Sequence, residues 1–135
     1  MSTWDDFDIE ARVIEALETV PVVNELGHHY GMAWVTTYQL AIKVDELNPG
    51  LVTSLTLTVG GVGTGKQVSL AQYLAKQLSE KIKRSEGGYP VEGAFLSGVA
   101  LSHLQFKTPD GEPVTSSVTG TGYDLSLFRM RAASA

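Results

Sequence analysis

The chain has 135 residues, 43% hydrophobic and 19% charged, with a net charge of −5 and no cysteine. That length and balance suit one domain (1–135) with a real core and exclude a disordered chain. The lack of cysteine excludes disulfides, thiolate nucleophiles and cysteine-based metal sites, and fits a cytoplasmic protein.

The charge is unevenly spread. Residues 1–30 carry seven acids against Arg12, whereas residues 66–84 carry Lys66, Lys76, Lys81, Lys83 and Arg84 against Glu80 alone. One basic helix in an acidic molecule is an admissible surface for an anionic partner. The acidic N-terminus and the absence of any long apolar run argue against a secretory leader or membrane span.

In chain order, Ile9, Val13, Leu17 and Val20 recur at helical spacing and predict an amphipathic helix over 4–19. Thr3 and Asp6 resemble a capping signal, and Asp5, Asp6 and Asp8 favour the positive end of its dipole. "PVVNELG" (21–27) reads as a short helical turn and "MAWV" (32–35) as a short strand. Thr36 and Gln39 then form a T-x-x-Q capping box, with Val35 and Leu40 as its hydrophobic staple. A helix over 36–47 follows, with Leu40, Val44 and Leu47 as its buried stripe, ended by Asn48-Pro49-Gly50.

From Leu51 alternation takes over, with Leu51, Thr53, Leu55, Leu57 and Val59 on one face and Val52, Ser54, Thr56 and Thr58 on the other, which predicts a strand. The glycine-rich stretch 60–65 comes next. Ala71, Leu74, Ala75, Leu78 and Ile82 then mark a helix over 66–84, opened by Thr64 and Gln67 as its capping pair. The last third is rich in strand formers. Segments 95–107, 113–119 and 123–130 predict an antiparallel meander, with a type I turn at Thr108-Pro109-Asp110-Gly111 and a frayed tail over 131–135. Helices first and strands last give an α+β class.

"GGVGTGK" (60–66) matches seven positions of a phosphate-binding loop, but Gln67 stands where a magnesium-binding hydroxyl belongs. No later strand closes on an aspartate to complete a metal shell. The stretch is therefore expected to be a connector, with Gly63, Thr64, Gly65 and Lys66 as an anion site at a helix start.

His28, His29 and His103 lack convergent partners for a metal. Ser97, Ser102, Ser116 and Ser117 lack a nucleophile's context. No catalytic set emerges, and no cofactor is implied.

The order helix, short strand, capped helix, basic helix and C-terminal hairpin resembles the layout of a winged helix, although 47–66 is longer than a helix-turn-helix turn. The likeness implies a recognition helix over 66–84 and a wing at 108–112. Its candidate contact residues are Gln67, Ser69, Gln72, Lys76, Lys83 and Arg84. A non-enzymatic binding or regulatory module contacting nucleic acid is the leading expectation. A phosphate- or nucleotide-binding protein using the glycine loop and a protein–protein interaction module are the alternatives.

Overall fold

The computed structural model describes residues 3–20, 32–55, 57, 59, 69–101, 104–115 and 124–131. Among these residues, five helices and five strands form a mixed α+β fold: α1 (Thr3–Asp6), α2 (Ile9–Glu18), β1 (Val35–Thr36), α3 (Thr37–Leu47), α4 (Leu51–Leu55), α5 (Leu70–Arg84), β2 (Val91–Leu96), β3 (Gln105–Lys107), β4 (Pro113–Thr115) and β5 (Leu125–Met130).

The first predicted helix is two. Asp8 takes a left-handed conformation (φ 53°, ψ 46°) and breaks it after α1. Short acidic residues tolerate that region better than most, so the break falls on the residue able to make it. Ile9, Val13 and Leu17 are buried as the period requires.

The third helix begins as its sequence says. The Thr36 hydroxyl accepts from the Gln39 backbone N–H at 3.2 Å, and the Gln39 side-chain oxygen accepts from the Thr36 N–H at 2.8 Å. Leu40 and Val44 are buried, but Leu47 is 36% exposed and leaves the predicted stripe. Asn48 caps the helix end, and its side chain accepts from the Arg12 guanidinium of α2.

Residues 51–55 are helical, not a strand. Gly50, at φ 89°, completes a turn that only glycine adopts without strain, and its carbonyl accepts from the Ser54 N–H at 2.9 Å. Leu51 and Leu55 fit a helical spacing as well as an alternating one, and Val52 joins their face only on a helix. Leu51 is buried and the other two pack on the core, so tertiary packing overrides β-propensity.

The basic helix starts later than predicted. Ser69 has an extended backbone (ψ 165°) and is the N-cap of α5, with Gln72 closing a second capping box. The Ala71 N–H, another donor of the first turn, reaches the Val59 carbonyl at 3.0 Å. Leu70, Ala71, Leu74 and Leu78 form the fully buried stripe.

The predicted meander is replaced by two sheets. The larger has the order β1-β5-β2, all antiparallel, with Val35 opposite Phe128 and Gly93 also opposite Phe128 on the other side. The smaller is the hairpin β3-β4. The first strand of the meander ends at Leu96, residues 97–101 are not strand, and β5 pairs with β1 and β2 instead of β4. Phe128, buried on the middle strand, unites helices and sheet in one core. Arg129, next to it, ties β2 to the segment that leads into β1. It pairs with Glu92 of β2 at 3.2 Å, bonds the Met32 carbonyl at 3.1 Å and lies 4.1 Å from the Trp34 ring centre.

The predicted turn at 108–111 closes the hairpin. The Gly111 N–H donates to the Thr108 carbonyl at 2.8 Å, with Gly111 at φ 88°. The hairpin leans on α3, where Phe106 stacks on Tyr38 at 5.8 Å between ring centres.

Candidate functional site

The α5 helix turns its apolar stripe inward and leaves Gln72, Lys76, Ser79 and Lys83 exposed. Their offsets, i, i+4, i+7 and i+11, place them on one face. The helix carries Lys76, Lys81, Lys83 and Arg84 against Glu80. These bases are not equivalent. The Lys81 ammonium sits 4.6 Å from the Trp4 ring centre, a cation–π contact that ties α1 to α5. Arg84 approaches Glu80 at 3.9 Å in an exposed pair. Among the described residues, neither Lys76 nor Lys83 has an acidic partner within salt-bridge distance.

Of the residues predicted to make contacts, the fold gathers Gln72, Lys76 and Lys83 on that face. Ser69 does not join them, because it is buried and its hydroxyl accepts from the Gln72 N–H at 3.1 Å. Arg84 lies at the C-terminal end of α5 and is exposed. Gln67 and the predicted anion site, Gly63, Thr64, Gly65 and Lys66, lie outside the described residues, as do the predicted turn at 21–27 and His28, His29 and His103.

Sequence reasoning missed what comes alongside α5. The β2 strand returns next to it, and Gly93 permits the close approach: a Cβ there would stand 3.2 Å from Ile82 Cδ1. Beyond Gly93 the strand leaves its cover, so that Phe95 is 68% exposed and Val99, just past the strand, 84%. A groove of about 250 Å³ separates Ser79 and Lys83 of α5 from Phe95 of β2 and Ser126 of β5. No sequence signal marks it, since these residues are up to 47 positions apart.

A larger cavity of about 430 Å³ lies between the end of α2, β1 and α3. Leu17, Val20, Trp34 and Leu40 make it apolar. Its polar groups are already engaged, Gln39 in the capping box and Lys43 with Glu46 at 3.1 Å. Among the described residues no group of three or more histidines or acids could hold a metal ion, and no helix is long and apolar enough to cross a membrane.

Comparison of the chain with protein-family models, curated proteins and solved structures finds no match.

Proposed function

We propose that the chain is a non-catalytic cytoplasmic module of winged-helix-like layout that binds nucleic acid through the exposed face of α5. The observation that carries this reading is the sheet order β1-β5-β2 with its helices threaded between: α2 before β1, then α3 and α5 before β2, and a hairpin-bearing excursion before β5 returns to the middle. In that layout α5 occupies the recognition position, and its outward stripe offers one amide, one hydroxyl and two cations. Amides and hydroxyls suit base edges, and lysines suit phosphates. The excursion supplies the wing, with the 108–111 turn at the tip of the β3-β4 hairpin. The two helices are joined by a long segment instead of a tight turn, so α3 and α5 are held by packing and capping, not by a short connection.

Fluorescence anisotropy with a labelled blunt DNA duplex tests the reading. Binding is expected to weaken steeply between about 50 and 200 mM salt. Changing both Lys76 and Lys83 to Ala should lower the log–log salt slope by about 2, because each lysine that no longer neutralises a phosphate removes about one unit. No binding at low salt, or an unchanged slope in the double variant, would overturn it.

A further inference from the structure

We propose that the groove between α5 and the β2–β5 face is a pocket for one unpaired nucleobase of the bound nucleic acid. This inference rests on the reading above and names the substrate class: a nucleic acid with a single-stranded end or bulge. The groove has the three parts such a ligand needs. Its wall is the Phe95 ring, which presents its surface to solvent where most aromatic rings are covered. Its floor is apolar, made by buried Phe128 and by Gly93, whose missing side chain leaves the slot open. Its rim carries the Ser79 and Ser126 hydroxyls and the Lys83 ammonium.

A base stacked on Phe95 would meet hydroxyls able to donate to or accept from its edge, and Lys83 would lie within reach of its phosphate. A base inside a duplex has both faces stacked already and cannot enter. Along one strand of this chain, bases and aromatics are not interleaved. The fold supplies the combination across two elements, since Lys83 and Ser79 continue the outward stripe of α5 into the groove. The pocket is thus an extension of the proposed contact face.

The test compares three labelled DNAs, a blunt duplex, the same duplex with a short single-stranded overhang and a single strand, against wild type, Phe95→Ala and Phe95→Trp. Wild type should bind the overhang duplex more tightly than the blunt one. Phe95→Ala should weaken overhang binding by about 5- to 150-fold, the range for losing one stacked base, and leave blunt binding unchanged, whereas Phe95→Trp should retain the preference. Because Phe95 is exposed, both variants should keep the wild-type thermal midpoint. Blunt duplex binding with no effect of Phe95→Ala on any DNA would overturn the pocket and leave the α5 reading standing. Absence of binding to all three DNAs would overturn both. A drop in light-scattering mass in Phe95→Ala without loss of overhang affinity would also overturn the pocket and assign the ring to contact with a second copy of the chain.

Discussion

The Thr37 hydroxyl donates to the Ala71 carbonyl, joining α3 to α5 across 34 residues of chain. Both groups are buried, and they meet where the two helices begin. A helix pair with a tight turn between them is held in register by the turn. Here that task falls on this bond and on the leucines around it. Thr37→Val keeps the shape and removes the hydroxyl, and should cost about 0.5–1.5 kcal/mol, read from urea midpoints at constant m-value. A variant as stable as wild type would show that packing alone fixes the crossing.

Each capping box should contribute to stability. Thr36→Ala and Ser69→Ala should each destabilise by about 0.5–2 kcal/mol. The Thr37–Ala71 bond joins the two helix starts, so the double variant should depart from additivity by about 0.5 kcal/mol or more in chemical denaturation.

Leu74 and Leu78 have no exposed surface and lie one turn apart on α5. Truncating either to Ala should cost about 2–5 kcal/mol, the transfer loss plus the cavity left behind. Calorimetry would show the lowered midpoint. A soluble variant with an unshifted midpoint would mean that the helix does not rest on this stripe.

Tyr89 gives the fold an alkaline limit. Its hydroxyl donates to Glu10 at 2.6 Å, and burial, that bond and the Glu10 charge together hold its pKa well above the ordinary 10.0. A group whose pKa is higher in the folded chain stabilises fully below its unfolded value and loses that contribution as pH rises beyond it. Stability should therefore fall above about pH 10, where the unfolded chain releases the phenolic proton and the folded one keeps it. Tyr89→Phe should be less stable at pH 8 and show a shallower alkaline decline. Tyr73 shifts in the same sense, so the difference between the two proteins, not the wild-type curve alone, isolates Tyr89. Parallel curves for the two proteins from pH 9 to 11 would refute the assignment.

Local chemistry was the legible part of this sequence. Thr36 and Gln39 announce a helix start because both hydrogen bonds of the box lie within four residues. The same signature stands at Ser69 and Gln72, but Thr64 and Gln67 offer the same spacing five residues earlier, and sequence alone does not choose between them. At 51–55 two periods fit the same residues, and the choice is made by which of them can be buried beneath a turn at Gly50. Strand pairing was beyond reach for a different reason. Hairpin neighbours are favoured by short loops, and that rule finds β3 and β4, but nothing within β5 records that it will lie between β1 and β2. The groove at Phe95 is a product of that pairing and of a glycine that brings α5 close.

That middle strand also sets an order of events. Each neighbour of β5 is synthesised before it, one of them about 90 residues earlier, and among the described residues each pairs only with β5. On the ribosome, β1 and β2 therefore emerge as two separated edges with no template between them. Helices can dock early, because their contacts are nearer in sequence, but the sheet waits for residues 125–130. Until then the inner faces of Val35 and Val91 have no strand to bridge them, and a nascent chain stalled before Leu125 is open to pairing with any other extended segment it meets.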